Sequence, residues 1–216
     1  MKLSKRLEAV ATLVEVGKRV IDVGCDHAYL DIYFTENNDN KCIATDINRN
    51  ALSIAEANIK KYNLEDKIET KLTDGLKDLK IYKKDNIVIS GMGTFTILEI
   101  LKTNTLSNTL IISSNNNIDV LRKEVVKLGY YIDTELFIID KDKPYVIIKF
   151  KKGFRKYNLN DYMFGPILKN NIQYRKYLIN KYKHTLKQIS ITKISAKFKY
   201  LMLIFKLKLL DIKIDL

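Results

Sequence analysis

The sequence is poor in cysteine and proline and has no tryptophan. Its two cysteines, Cys25 and Cys42, lack the spacing of metal ligands, so we expect no metal site. Both lie in strand or turn contexts and should be buried, reduced thiols of a cytoplasmic protein. Only two prolines interrupt an apolar content of 46%, which is ordinary for a globular chain.

Long apolar runs are also missing. The closest approach to a membrane span, residues 200–210, is broken by Lys206 and Lys208, so we expect no membrane association of that kind. The first residues carry Glu8 and pass directly into helical periodicity, which is not the pattern of a secretory signal. A length of 216 residues allows one full α/β domain and an appendage.

Acidic residues are scarce in the last third of the chain. Residues 1–150 hold 22 Lys/Arg and 22 Asp/Glu, whereas residues 151–216 hold 16 Lys/Arg and three acids. The whole excess of +13 therefore lies in the tail, which is typical of a module that binds a polyanion such as RNA. Acidic membrane lipid is the competing partner.

Strands and helices alternate along the first 150 residues. Five apolar segments separated by helical periodicity predict parallel strands, and two further strands joined by residues 141–144 predict an antiparallel finish. The fold class is therefore α/β, a doubly wound sheet with a reversed edge. The predicted strands are Val20–Val23, Cys42–Thr45, Ile68–Leu72, Asn86–Ser90, Thr109–Ser113, Tyr131–Ile139 and Tyr145–Phe150.

The periodicity changes after Lys152, which predicts two domains, 1–152 and 153–216. Beyond this boundary two heptad-like helices, interrupted near Ser190, indicate a C-terminal α-helical coiled-coil hairpin. In the second helix the seam is expected at the residues that follow alternating four- and three-residue steps, Ile194, Phe198, Leu201, Phe205, Lys208 and Ile212. A solvated coiled coil that forms a dimer is the alternative, although such helices usually mix Glu with Lys.

The first strand leads into a glycine turn, Asp22-Val23-Gly24-Cys25-Asp26, that is typical of nucleotide sites. Asp26 and Tyr29 stand where a dinucleotide fingerprint would have its second and third glycines. Carboxylates at Asp22 and Asp26 would repel a pyrophosphate but suit the cationic S-adenosylmethionine. The alternative is that Asp26 only caps a helix and Asp22 only fixes the turn.

Polar residues also follow the other strands of the predicted sheet. Asp46 is placed to bind ribose hydroxyls, Asp74 to accept from an adenine amino group, and the Gly75 N–H to donate to a ring nitrogen. Strand-terminal acids in register indicate a Rossmann-like class I methyltransferase. The full expected cofactor site is Asp22, Gly24, Asp46, Ile47, Asn48, Asp74, Gly75, Ser90 and Gly91.

The order of motifs resembles the bacterial TrmK family of tRNA (adenine-N1) methyltransferases, over nearly the whole chain. The motifs that carry the resemblance are LSKRL (3–7), DVGCDHAYL (22–30), ATDIN (44–48), TDGL (73–76), ISGMG (89–93), KPYVII (143–148) and FGPIL (164–168). The resemblance implies S-adenosylmethionine-dependent methylation of adenine 22 in the D-loop of tRNA. It also implies that the helical tail holds tRNA, with Arg6, Lys176, Lys183 and Lys187 as expected RNA contacts.

Three residues of the turn are candidates for catalysis. Adenine N1 is a ring lone pair that needs no deprotonation, so positioning and electrostatics should dominate. Asp26 is the nearest carboxylate to stabilise the cationic adduct. His27 either hydrogen-bonds the base or caps the turn, and Tyr29 either stacks on an extruded base or belongs to the core.

Two other function classes remain open from the sequence. One is a small-molecule methyltransferase whose basic hairpin forms a dimer, and the other is a non-catalytic RNA- or membrane-binding protein. A steep fall of tRNA affinity with salt would separate the RNA function from the first. The expected state is a monomer.

Overall fold

The computed structural model describes residues 2–104, 106, 108–190 and 192–212, with side chains up to residue 210. The chain forms two compact units, unit 1 (Met1–Lys156) and unit 2 (Tyr157–Leu216). The side chain of Ile212 and the last four residues of the predicted second domain lie outside the described part.

Seven strands in the described part of unit 1 form one sheet, in the order β3-β2-β1-β4-β5-β7-β6. Pairing is parallel from β3 to β5 and antiparallel between β5, β7 and β6. The predicted doubly wound sheet with a reversed edge is therefore confirmed. The strands are β1 (Val20–Val23), β2 (Cys42–Asp46), β3 (Ile68–Leu72), β4 (Asn86–Ser90), β5 (Thr109–Ser114), β6 (Tyr130–Asp140) and β7 (Lys143–Lys152).

Helices connect the strands of unit 1, as the 3.6-residue periodicity of the connecting segments requires. Asn48 caps one of them by accepting hydrogen bonds from the N–H groups of Asn50 and Ala51. Ser4 caps the first helix, which ends at Ala11. The helices are α1 (Lys5–Ala11), α2 (Tyr29–Asn38), α3 (Arg49–Lys61), α4 (Thr94–Lys102) and α5 (Ile118–Lys127).

The central strands lie in the core and explain why the sheet forms. Every residue of β1 is buried, and β4 is buried from Asn86 to Ile89. Strands covered on both faces favour apolar side chains, which accounts for the Val and Ile residues of both strands; the buried Asp22 of β1 and Asn86 of β4 are the polar exceptions. The carboxyl ends of β1, β2 and β4 consequently lie side by side in register.

Unit 2 is helical. It contains α6 (Leu159–Phe164), a 3₁₀ turn (Leu168–Asn170), α7 (Ile172–Gln188) and α8 (Ile194–Ile212), and α7 packs against α8. A capping box between Asn158 and Asp161 starts α6, and Asp161 also pairs with Lys169 at 2.7 Å. The predicted helical hairpin therefore forms.

The predicted seam of α8 is wrong. Phe198, Leu201 and Phe205 are exposed, whereas Leu203, Ile204 and Leu207 are buried. Both sets follow three- and four-residue steps, so heptad spacing alone could not tell which one faces the unit. Coiled-coil geometry is not established for this hairpin.

The sequence predicts neither a membrane-spanning helix nor a metal site. Across residues 2–104, 106, 108–190 and 192–212, no helix has the length and apolarity to cross a membrane. Within the same residues, no three or more His, Cys, Asp or Glu side chains are grouped as metal ligands would be. Cys25 and Cys42 are buried free thiols.

Candidate functional site

A cleft of about 550 Å³ opens at the carboxyl ends of β1, β2 and β4. This is the edge at which doubly wound sheets bind ligands, and the volume suits a small-molecule site. The cleft brings together every predicted cofactor and catalytic residue, and Arg6 as well. Those residues are Arg6, Asp22, Gly24, Asp26, His27, Tyr29, Asp46, Ile47, Asn48, Asp74, Gly75, Ser90 and Gly91.

The turn after β1 is built from left-handed backbone. Gly24, Asp26 and Ala28 have φ angles of 78°, 52° and 56°. α2 begins only at Tyr29, with Ala28 at the N-cap and no capping side chain found among the described residues. The alternative that Asp26 caps this helix is therefore wrong, because the left-handed turn separates it from the helix start.

Hydrogen bonds hold this turn against β2. The N–H groups of Gly24 and Cys25 both donate to the carbonyl of Thr45, at 2.8 and 2.9 Å. Asp46 fixes the other side, since its Oδ1 accepts from the Asn48 N–H at 2.8 Å and its Oδ2 from the Asp26 N–H at 3.3 Å. A carboxylate has about four acceptor positions, so Asp46 keeps capacity for hydroxyl donors.

Gly24 makes room for the side chain of Met92 in the cleft. A Cβ at this position would clash with Cε of Met92, which reaches across from the end of β4. Gly75, with a φ of 67°, is similarly tight, since a Cβ there would lie 3.0 Å from Cγ1 of Ile100. Met92 and Ile100 line the cleft and were not predicted as site residues; as apolar side chains they carry no sequence signal that marks a site.

Asp22 forms a buried acid pair with Asp31 of α2. Both side chains are almost completely buried and interact with each other, and neither oxygen of Asp31 has a hydrogen-bond partner among the described residues. Two buried carboxyl groups side by side avoid repulsion between their charges when one of them holds a proton. Burial raises the pKa of Asp22 to about 7, and burial together with the Asp22 charge raises the pKa of Asp31 well above its ordinary value. No sequence pattern indicates this pair, because Asp31 looks like an ordinary polar residue in the first turn of a helix.

The three catalytic candidates line one wall of the cleft. Nε2 of His27 lies 3.6 Å from Oδ1 of Asp26, and the His27 and Tyr29 rings are 5.5 Å apart. Tyr29 is 43% exposed, so it is not a core tyrosine. Asp26 is exposed and Asn58 donates a side-chain N–H to the carbonyl of His27, which steadies this wall from α3.

Arg6 reaches the cleft from α1. Its Nη1 donates to Oγ of Ser90, and its guanidinium carbon lies 5.4 Å from the centre of the Tyr145 ring. A Cβ at Gly91 would lie 3.4 Å from Nη1 of Arg6, so the glycine leaves room for the guanidinium. The residue expected at the RNA surface is therefore a cation within the cleft, beside the carboxyl end of β4.

Asp74 lies at the far side of the cleft. Its Oδ2 pairs with Nζ of Lys77, and this carboxylate raises the pKa of the lysine. The Thr73 N–H donates to the carbonyl of Asp46 at 3.0 Å, so the segment that carries Asp74 and Gly75 is tied to the end of β2.

The three lysines expected to contact RNA belong to unit 2. Lys176, Lys183 and Lys187 are all exposed on α7. Their spacing of seven and four residues places them on one face of that helix. They form a row of positive charge about 16 Å long at 1.5 Å per residue.

Comparison with known proteins identifies relatives along the whole chain. A family model described as "Methyltransferase domain" matches residues 3–148. The tRNA (adenine(22)-N(1))-methyltransferase of Bacillus subtilis is 31% identical over 160 residues, which cover 72% of this chain and 67% of that protein.

Solved structures extend the likeness to the tail. The structure of M. capricolum TrmK with the cofactor product S-adenosyl-homocysteine has a TM-score of 0.85 and 34% identity, covering 98% of this chain and 99% of that one. A Streptococcus pneumoniae protein solved with S-adenosyl-L-methionine has a TM-score of 0.85 and 28% identity, covering 97% of this chain and 99% of that one.

Proposed function

The chain belongs to the TrmK family of tRNA (adenine(22)-N(1))-methyltransferases, and from this premise we propose that it methylates N1 of adenine 22 in tRNA with S-adenosyl-L-methionine as methyl donor. The observation that carries the proposal is the cleft at the ends of β1, β2 and β4. It joins a nucleoside-sized cavity to acidic side chains and to an open wall with an aromatic ring.

The residues of the cleft fit this cofactor. Asp46 offers acceptor positions for the ribose hydroxyls, and Gly24 lines the cleft without a side chain of its own. Asp74 and Gly75 offer an acceptor and a donor for an adenine edge. Bound in this cleft, S-adenosyl-L-methionine supplies a methyl group that is activated by its sulfonium charge.

The acid pair beneath the turn gives the cleft a preference for cations. Asp22 has a pKa of about 7 because its charge is buried, and a nearby positive charge favours the ionised form. The positive charge of the bound cofactor would therefore lower the pKa of Asp22 and favour loss of its proton to solvent. The affinity for the cofactor should then increase as the pH rises through the pKa of Asp22.

The exposed wall of the cleft would act on the base. Adenine N1 gains a positive charge when it is methylated, and Asp26 is a carboxylate able to stabilise that charge. Tyr29 offers a ring for an extruded adenine, and His27 stands beside both residues. Arg6, held by Ser90 and Tyr145, is a cation suited to the phosphate of the same nucleotide.

Unit 2 would supply most of the affinity for the tRNA backbone. Residues 157–216 hold 12 Lys/Arg and three acids, a net charge of +9, whereas the longer unit 1 holds 26 Lys/Arg and 22 acids, a net charge of +4. Neutralised phosphates release counterions, so each lysine of the α7 row should add to a salt-dependent binding free energy. The expected working state is a monomer, and the expected compartment is the cytoplasm, where its tRNA substrate is found.

The test of the activity uses an unmodified tRNA transcript and labelled S-adenosyl-L-methionine, followed by nucleoside analysis. The expected product is 1-methyladenosine, which should disappear when adenine 22 of the transcript is replaced by guanine. A methylated product at another position, or none with a correctly folded tRNA, would overturn the proposal.

The role of α7 is tested by replacing Lys176, Lys183 and Lys187 with Gln. The slope of log affinity against log salt should become shallower by about 2–3, with cofactor affinity unchanged. Three exposed lysines of unit 1, Lys60, Lys61 and Lys84, provide the matched control set. Equal slopes for the two triple variants would contradict a special role of α7.

A further inference from the structure

The helix α8 carries a second apolar surface, which the hairpin does not use. Its buried face is formed by Leu203, Ile204 and Leu207. On the opposite side six large apolar side chains are between 38% and 75% exposed, and we call them the α8 stripe. The stripe consists of Ile194, Phe198, Leu201, Met202, Phe205 and Leu209.

The α8 stripe is one continuous surface. At 100° per residue its six members lie within an arc of about 100°, and at 1.5 Å per residue they extend about 22 Å along the helix. Single exposed apolar residues are normal, but a contiguous patch of this kind marks a surface that binds another molecule. Part of it, Phe198, Leu201 and Phe205, is the set that heptad spacing had predicted to be the hairpin seam.

Lysines border the α8 stripe on both sides. Lys197 and Lys208 lie along one edge, and Lys199 and Lys206 along the other, by the same helical angles. No Asp or Glu occurs between residues 162 and 210. A molecule that binds the α8 stripe is therefore expected to carry negative charge as well as apolar faces. A second copy of this chain would bring lysine rows beside lysine rows, so charge opposes a dimer built on α8.

We propose that the α8 stripe is a stacking platform for unpaired nucleotides of the tRNA substrate, with bases on Phe198 and Phe205 and phosphates on the bordering lysines. Aromatic side chains between rows of cations are the usual means of binding single-stranded nucleic acid. The two phenylalanines are seven residues apart, about 10 Å along one face, which leaves room for separate bases. This inference rests on the proposed function and specifies which part of the substrate unit 2 holds.

RNA fits the α8 stripe better than a lipid surface does. The chain's family acts on tRNA, and its target adenine must be unpaired and unstacked before ring chemistry can occur. Unpaired nucleotides therefore accompany the substrate in every productive complex. Anionic lipid shares the same chemistry of charge and apolar contact, and the experiment separates the two.

The experiment compares two double variants of the full-length protein. Phe198→Leu/Phe205→Leu removes both rings and keeps apolar bulk, whereas Leu201→Met/Leu209→Met changes the same stripe without touching a ring. All four side chains are exposed, so both variants should fold. The first variant should bind tRNA at least 10-fold more weakly than wild type, while the second binds like wild type. The salt slope should be unchanged in both, because no cation is lost.

A second ligand shows whether unpaired bases are involved. An RNA duplex with no unpaired nucleotides should bind wild type and the phenylalanine variant with equal affinity. Equal tRNA affinity of the phenylalanine variant and wild type would overturn the inference. So would a wild-type dimer in sedimentation equilibrium that the phenylalanine variant dissociates, or binding to phosphatidylserine vesicles that this variant loses while tRNA binding persists. Failure of the wild type to methylate tRNA would instead remove the proposed function, so the two failures are distinguishable.

Discussion

The Asp22–Asp31 pair predicts an unusual dependence of stability on pH, which Asp22→Asn should reduce. Asp22 is buried with a pKa of about 7, whereas a carboxyl in an unfolded chain has a pKa near 3.9. Between these values the folded state keeps a proton that the unfolded state has lost. The contribution of Asp22 to stability is therefore fully present below about pH 4 and is lost as pH rises through 7.

The magnitude follows from the shift in pKa. About three pKa units at about 1.4 kcal/mol each make a loss of about 4 kcal/mol between pH 4 and pH 8. Asn at this position is neutral at every pH and can donate to Asp31. It also lowers the pKa of Asp31, which the Asp22 charge had raised. The variant should match wild type near pH 4 and be more stable by about 2–4 kcal/mol at pH 8.

Urea unfolding at several pH values between 4 and 8 measures this difference. Tyrosine fluorescence and far-ultraviolet circular dichroism are suitable signals, because the chain has 13 tyrosines and no tryptophan. Asp78→Asn serves as the control, since Asp78 is exposed. Parallel stability curves for wild type and Asp22→Asn would refute the reasoning, and would mean that the pair does not retain its proton.

Four further outcomes are expected. Affinity for S-adenosyl-L-methionine should rise between pH 6 and pH 8 as Asp22 ionises, whereas S-adenosyl-homocysteine, without the sulfonium charge, should respond less in the same calorimetric titrations; equal responses would contradict this. Asp46→Ala should weaken cofactor binding by about 1.5–3 kcal/mol, and unchanged affinity in a folded variant would move the ribose contacts elsewhere. Asp26→Asn should lower the single-turnover methylation rate much more than cofactor affinity; equal rates would leave Asp26 without a part in the chemistry. Glu135→Ala should lower the free energy of unfolding by about 3–5 kcal/mol, because it leaves the fully buried Arg122, now 2.6 Å from Glu135, without that carboxylate. Replacing both Arg122 and Glu135 by the apolar residues Met and Leu should recover most of the lost free energy of unfolding. A double variant as unstable as Glu135→Ala would contradict the explanation that an unpaired buried charge causes the loss.

Much of the sheet could be predicted because each central strand is a short apolar run that ends at a polar residue or a glycine. Asp46 and Asn48 show the same logic at the level of the site, since an acid and a cap follow β2 directly. The parallel order then brings such strand ends together, so the predicted cofactor residues all line one cleft. Their roles in binding and catalysis stay predictions.

The predictions failed where a local sequence pattern is compatible with more than one structure. Ala28 precedes α2 in the left-handed region, which its residue type does not suggest, so the sequence left open that Asp26 caps this helix. Asp31 meets Asp22 only because α2 packs on β1, which no spacing rule reveals. In α8 two apolar faces share the same three- and four-residue steps, and sequence alone could not decide which was buried.

The position of β7 between β5 and β6 also governs how the protein is made. Because β6 pairs only with β7, the reversed edge of the sheet stays open on the ribosome until residue 152 has emerged. The strands that carry the cleft can therefore complete one sheet before the strongly basic unit 2, which would otherwise compete for ribosomal RNA, has emerged.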